Sequence, residues 1–226
     1  MDDAPPLNMT LQWVSPHALL VTLGAPDSVP ASLAAGALIE RLFQCRPPWL
    51  VDAYGGFGKV MVMSRDPDSA AVDAWIRAVD LAAGDPSEAT PTIDIPTCYD
   101  PAVAPDIESV AERLGVGASD VVAWHSAQPV TVLAMGFAPG FGYLGPIDAR
   151  LRLPRLATPK ARVPAGSVAI AEAQTVIYPV ETPGGWHLIG RTAVQLMRYT
   201  PEPEPRFRVG QRVRFVPITL RQWQAA

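Results

Sequence analysis

Apolar residues run from Leu11 to Val14 and from Ala18 to Leu23 in stretches suited to extended structure, with Ser15, Pro16 and His17 between them. That pattern predicts a β-hairpin. The period then lengthens. Between Pro30 and Phe43, Ala34, Leu38, Ile39 and Leu42 recur every three or four positions and line one face of a helix, which Pro47 and Pro48 forbid from continuing. A second hairpin is expected from Leu50 to Tyr54 and Lys59 to Met63, turning at Gly55 and Gly56. A second helix should follow, with Asp66 as cap, Pro67 at its first position, and Val72, Trp75, Ile76 and Val79 as its buried stripe until Gly84. The order ββαββα describes a two-layer α+β domain of residues 1–90, in which a four-stranded sheet carries two helices on one face. Gly84 to Pro91 reads as the linker.

The pattern changes in a second domain, 91–226. A strand near Thr92 to Pro96 precedes two short helices. The first opens at Pro105, buries Ile107, Val110, Ala111 and Leu114, and stops at Gly115; the second is capped by Ser119. After the apolar strand from Val130 to Met135 come short strand candidates broken by Pro and Gly, including Ser167 to Ala171, Trp186 to Ile189 and Arg212 to Phe215. Closure into a small barrel is expected, since it removes the edges such strands would expose.

Composition narrows the function classes. The chain has 226 residues with 25 prolines and 17 glycines, which favours turns and short strands over a helical bundle. A net charge of −4 with Lys and Arg scattered along the sequence argues against nucleic-acid binding. Cys45 and Cys98 lack CxxC spacing and read as reduced thiols. Met1 to Met9 holds acids and prolines rather than a signal peptide, and no segment is long enough to span a bilayer, so a cytoplasmic protein without a membrane partner is expected. No HExxH, Cys/His ligand set, GxSxG elbow or P-loop occurs, which gives no support for a metal site.

Four clusters carry candidate chemistry. The loop Gly136-Phe137-Ala138-Pro139-Gly140-Phe141-Gly142-Tyr143-Leu144-Gly145 places aromatic rings among turn residues, which suits either core packing or the lining of a pocket. Lys160 and Arg162, two apart on an extended segment, share a side and suit either an anion or solvent. Gln174 and Tyr178 can share a face as an amide and a phenol, serving a ligand or the barrel's own hydrogen bonds. In Thr182-Pro183-Gly184-Gly185-Trp186-His187-Leu188-Ile189-Gly190-Arg191-Thr192, Gly184 and Gly185 allow either close ligand approach or a hairpin turn, and Arg191 closes the strand. His125 follows Val121 and Val122 by four and three positions, which turns it to the apolar side of its helix; a buried imidazole there is either a hydrogen-bonded core group or a proton carrier.

Together GFAPGFGYLG, TPKARVPAGSVAIAEAQTVIYPVETPGGWHLIGRT and VGQRVRFVPI resemble the KipI family, which comprises B-type components of 5-oxoprolinase and first components of allophanate hydrolase. The resemblance implies a cyclophilin-like β-barrel as the second domain. It also implies work with a KipA-type subunit and a LamB/YcsF-type subunit in ATP-dependent opening of 5-oxoproline, a small cyclic amide, to glutamate, the chain being inactive alone. ATP, with magnesium shared with the partners, would phosphorylate the lactam carbonyl oxygen and so supply a leaving group. Mapped onto the family's motifs, Arg162 and Arg191 stabilise anionic oxygen and His125 transfers a proton. The resemblance further implies that Gln174 and Tyr178 orient the ligand, with Phe137, Pro139, Gly140, Lys160, Gly184 and Gly185 beside them. The sequence departs from the family at Lys160, where Arg is common, at Glu172 and Val176, where Gly is common, and at Gly142, where Pro is common. The family is also similar to the carboxyltransferase region of urea carboxylase, although this chain has no AMKM-like biotin-attachment motif, and its founding name comes from inhibition of a sensor histidine kinase. Those remain the alternative functions.

Overall fold

The computed structural model describes residues 8–25, 28–67, 69–81, 91–199 and 201–226. The chain divides into two compact units, Met1–Ala89 and Thr90–Ala226.

In the first unit β1 (Thr10–Ser15), β2 (Ala18–Thr22), β3 (Leu50–Gly56) and β4 (Lys59–Ser64) form an antiparallel sheet in the order β1-β2-β4-β3. Register puts Leu19 opposite Val62 and Val21 opposite Val60, so these fully buried side chains share one face. Helix α1 (Val29–Cys45) lays Ala31, Ala34, Ala35, Leu38 and Leu42 on that face, and α2 (Ser69–Ala78) adds Val72 and Ile76. Each fully buried Leu or Ile contributes about 1.5–3 kcal/mol. The Ser28 hydroxyl caps α1 by accepting from the Ala31 N–H at 3.2 Å, and Arg46 ends it in the left-handed region at φ 42°.

Two local expectations fail here. Gly55 and Gly56 are strand residues; the turn is Phe57-Gly58, both at positive φ (54° and 70°). Gly55 is required for another reason, since a Cβ there would overlap the Lys59 carbonyl oxygen. Helix α2 is shorter than expected at both ends. The helix begins at Ser69, and the Asp66 backbone exchanges hydrogen bonds with the Ser64 hydroxyl, at 2.7 and 3.2 Å. The helix ends at Ala78, short of the expected Gly84, and the linker from Gly84 to residue 90 lies outside the described residues.

In the second unit β5 (Ile93–Cys98) leads to α3 (Ile107–Leu114) and α4 (Ala118–Ser126), then to β6 (Val130–Met135) and β7 (Gly142–Gly145). Strands β8 (Lys160–Val163), β9 (Ser167–Ala171), β10 (Gln174–Ile177), β11 (Thr182–Gly184) and β12 (His187–Arg191) follow. The chain closes with β13 (Met197–Arg198), β14 (Glu204–Pro205), β15 (Arg212–Ile218) and α5 (Leu220–Gln224). Seven strands run in the order β6-β15-β5-β12-β9-β10-β7, and pairing of β7 with β6 closes the barrel. Pairing of β15 with β5 is parallel. Two ribbons, β8 with β11 and β13 with β14, stand apart from the wall.

Alternation along the wall sorts its side chains. Val168, Ile170, Ile177, Ile189, Val213 and Phe215 fill the barrel interior, where α3 and α4 add Ile107, Val110 and Val121. Ala169, Ala171, Val176 and Leu188 point outward into a separate cluster with Phe141, Val163, Tyr178 and Trp186. Strand β9 is therefore buried along its whole length, because both of its faces are covered.

The helix starts differ from expectation. Gly117, not Ser119, caps α4, and its N–H donates to the Asp120 carboxylate three residues on, at 3.0 Å. Pro105 precedes the cap residue Asp106, and Asp106 spends its side chain elsewhere. Gly115 does stop α3, at φ 70°.

Candidate active site

The outward cluster has an opening. Phe137, Tyr143, Arg155, Tyr178, Gly184 and Trp186 surround a hollow of about 260 Å³ on the outer face of the barrel wall. Phe141 forms its floor and is nearly fully buried, with Phe137 at 5.0 Å, Tyr143 at 5.0 Å and Tyr178 at 5.4 Å in edge-to-face contacts.

Local structure explains how each group arrives. After β6 the loop folds on itself: the Gly136 N–H donates to the Phe141 carbonyl at 3.1 Å, and the Phe141 N–H donates to that of Ala138 at 3.0 Å. Phe137 sits at φ 70°, a strained setting for a bulky residue, and remains 64% exposed at the lip. Gly140, at φ 80°, packs against the Leu196 carbonyl, so Gly140 and Pro139 shape the loop and do not line the hollow. Tyr178 is fixed by its backbone, whose N–H donates to Ser167 and whose carbonyl accepts from Gly166. Its phenol lies against Gly184, where a Cβ would overlap the hydroxyl and stand 3.0 Å from Cζ.

Arg155 is the hollow's cation, and no motif in the sequence singles it out. Its segment is strapped down on both sides. The Leu156 N–H donates to the Gly185 carbonyl at 2.8 Å, and the buried His187 ring bonds the Pro154 carbonyl through Nε2 at 2.9 Å. The guanidinium lies 5.6 Å from the Trp186 ring and has no ion pair among the described residues. Burial pushes the Tyr178 phenol up to about 12, with Tyr143 adding to the shift and Arg155 opposing it. Burial also raises Tyr143, again against Arg155. Both phenols are thus neutral donors near pH 7, within electrostatic reach of one guanidinium.

The other residues named from the sequence lie elsewhere. Lys160 donates to Asp106 at 2.9 Å. Arg162, with a side chain 78% exposed, pairs with Glu181 at 2.9 Å. Arg191 donates to the Ala165 carbonyl at 3.3 Å and stacks on Trp223. Gln174 shares an outward face with Tyr178 but sits at the far end of β10, roughly 13 Å along the strand. The expected convergence therefore holds for the aromatic loop, Tyr178 and the two glycines, and fails for the cations and the amide. Glu172, where glycine is common in the family, adopts φ 52° in the β9–β10 turn, and Val176 is buried in the outward cluster. Neither lines the hollow.

His125 faces the barrel interior, at the base of a different depression of about 400 Å³ lined also by Trp124, Gln128, Thr131 and Asp148. Both ring nitrogens are engaged: Tyr99 Oη lies 2.7 Å from Nδ1 and Thr175 Oγ1 lies 2.9 Å from Nε2. The Thr175 hydroxyl donates to the Ala169 carbonyl, so Thr175 accepts from Nε2–H and Nδ1 accepts from Tyr99. This is the core-histidine alternative. Its place inside the wall separates it from the hollow outside.

Asp106 gives the hollow a brace. Its carboxylate accepts from Lys160 and from the Leu188 N–H at 2.7 Å, and its own N–H donates to the Leu188 carbonyl at 3.0 Å. Register sets Lys160 opposite Gly184, so this buried carboxylate ties the β8–β11 ribbon, one wall of the hollow, to β12. Asp106→Ala orphans the Leu188 N–H and the ammonium and is expected to cost about 2–4 kcal/mol. Urea denaturation checks this; a loss within about 0.5 kcal/mol, the usual range for surface changes, would refute the brace.

Comparison with known proteins places the chain. Residues 9–207 match the family described as carboxyltransferase domain, subdomain C and D. The chain is 40% identical over 194 residues to the B-type component of 5-oxoprolinase from Escherichia coli O157:H7, covering 83% of this chain and 88% of that one. It superimposes on the solved structure of TTHA0988 with a TM-score of 0.77 at 34% identity, over 89% of this chain but only 39% of the longer one. The Kluyveromyces lactis urea amidolyase shares the fold at 16% identity, with a TM-score of 0.71 over 99% of this chain and 16% of that one. No helix among the described residues is long and apolar enough to cross a membrane. By sequence and by fold alike, the chain belongs to the carboxyltransferase-domain family, in the KipI branch that holds the B-type components of 5-oxoprolinase.

Proposed function

We propose that this chain is one component of an ATP-dependent 5-oxoprolinase complex, holding 5-oxoproline in the aromatic hollow while KipA-type and LamB/YcsF-type partners complete the enzyme. The observation that carries this reading is the meeting of Arg155, Tyr143, Tyr178 and Trp186 around one small cavity. 5-Oxoproline is a flat five-membered lactam with a carboxylate. Arg155 is suited to the carboxylate as a bidentate fork. The neutral phenols can donate to the lactam carbonyl oxygen, where negative charge grows as the amide opens. The rings of Phe141 and Trp186 cover the apolar faces and exclude water.

Magnesium triphosphate does not fit the same hollow. Magnesium prefers carboxylate and phosphate oxygens, whereas the hollow offers one guanidinium, phenols and aromatic faces. ATP, which activates the poorly electrophilic amide, must therefore be held outside it. The family description favours a second reading, transfer of a carboxyl group from carboxybiotin carried on another polypeptide.

Co-expression with the two partner proteins and an assay for ATP-dependent glutamate release tests the first reading. An assembled complex that leaves 5-oxoproline untouched but carboxylates urea from carboxybiotin would establish the second. Arg155→Met is expected to raise KM for 5-oxoproline about 100-fold, as loss of a charge-assisted contact requires, with little change in kcat. Binding of 2-pyrrolidinone, which lacks the carboxylate, should be unaffected. Equal losses for both ligands would remove Arg155 from carboxylate recognition.

A further inference from the structure

The cations that look scattered in the sequence gather near its end. Arg198 to Arg214 holds five arginines against Glu202 and Glu204, a charge of +3 within a chain of net charge −4. Arg198, Arg206 and Arg208 line a hollow of about 360 Å³ together with Gln195, Glu204 and Gln211.

Packing produces the clustering. Phe207 is fully buried in the barrel core, so its two neighbours, Arg206 and Arg208, are carried on the opposite, exposed side. The β13–β14 ribbon sets Arg198 opposite Glu204. One carboxylate is then divided between two guanidinium groups, with Glu204 Oε2 at 2.8 Å from Arg198 and Oε1 at 3.3 Å from Arg208. Arg206 has no ion pair among the described residues. All three arginines are exposed, and exposed ion pairs are worth so little that a better anion exchanges for Glu204 at small cost.

We infer that this hollow is a binding site for a small polyanion of the phosphate class, distinct from the aromatic hollow. Three forked guanidinium groups around a concavity supply more donors than one carboxylate can use, and planar forks match phosphate oxygens in pairs. Concavity favours a compact phosphate chain over an extended acidic segment. Nothing in this site depends on the lactam reading.

Calorimetric titration of the purified chain with sodium tripolyphosphate tests it, with sulfate as the control anion. Tripolyphosphate should bind, more tightly than sulfate, and weaken as salt is raised. Arg206→Glu and the double variant Arg198→Gln/Arg208→Gln should each raise Kd at least about tenfold without altering thermal stability. Arg155→Met should leave this binding intact, which separates its failure from failure of the lactam reading. No binding, equal affinity for sulfate, or affinity untouched by the variants overturns the inference. So does loss of a partner protein from Arg206→Glu complexes with tripolyphosphate binding unchanged, which would make the patch a protein-docking surface.

Discussion

Gly184→Ala should nearly abolish turnover by the assembled complex while the chain stays folded. The added methyl would overlap the Tyr178 hydroxyl and stand 3.0 and 3.1 Å from two ring carbons, so the phenol must leave its place in the hollow. Displacing one charge-stabilising donor typically costs a factor of about 100–1,000 in kcat. The phenol is also anchored by its backbone bonds to Gly166 and Ser167, so it has little freedom to shift without vacating the site. A double-mutant cycle isolates the cause. Tyr178→Phe removes the overlapping oxygen but keeps the close ring carbons, so adding Gly184→Ala to it should cost less than Gly184→Ala costs alone. Strict additivity of the two losses would show that Gly184 acts through something other than Tyr178, and a Gly184→Ala complex with ordinary kcat would remove the phenol from the chemistry.

The same geometry shows which parts of the site are legible in the sequence. Phe137, Tyr178, Gly184 and Gly185 stand in the motifs that carry the family resemblance, and the fold brings them to one hollow. Lys160 and Arg162 do share one side of β8, as their spacing requires, yet their partners Asp106 and Glu181 come from distant segments and neutralise them. Arg155 stands in no motif. It becomes the hollow's cation only through the bonds its neighbours Leu156 and Pro154 make to Gly185 and His187, far along the chain, which no local pattern encodes. The fold is more legible: the strands at Val130–Met135 and Ser167–Ala171 fall where apolar runs predict them. The hairpin turn lies beyond the expected glycines because Gly55 serves close approach between strands, while a non-glycine residue, Phe57, takes the positive φ.

His125 should make the fold lose stability towards acid pH. Burial without a compensating charge lowers its pKa from 6.5 to about 3, and its neutral ring is held between Tyr99 and Thr175. In the unfolded chain the same imidazole takes a proton near its ordinary pKa of 6.5, so below that pH the unfolded state binds more protons than the folded one. Stability is therefore undiminished by this group above pH 6.5. It falls as pH drops, by up to about 1.4 kcal/mol per unit, and levels off only near the folded value. Denaturation midpoints in urea between about pH 7.5 and 5 should show this slope in the native chain. His125→Gln, which lacks a titrating group but can still hydrogen-bond, should be less stable at about pH 7.5 and have a slope shallower by about one proton. The core placement makes a second demand: the pH profile of kcat in the assembled complex should keep its shape in the variant, because the ring faces the barrel interior and the hollow lies outside. Parallel slopes in the two proteins would refute the buried neutral imidazole, and a basic or acidic limb of the kcat profile that vanishes with His125 would return it to the role of proton carrier.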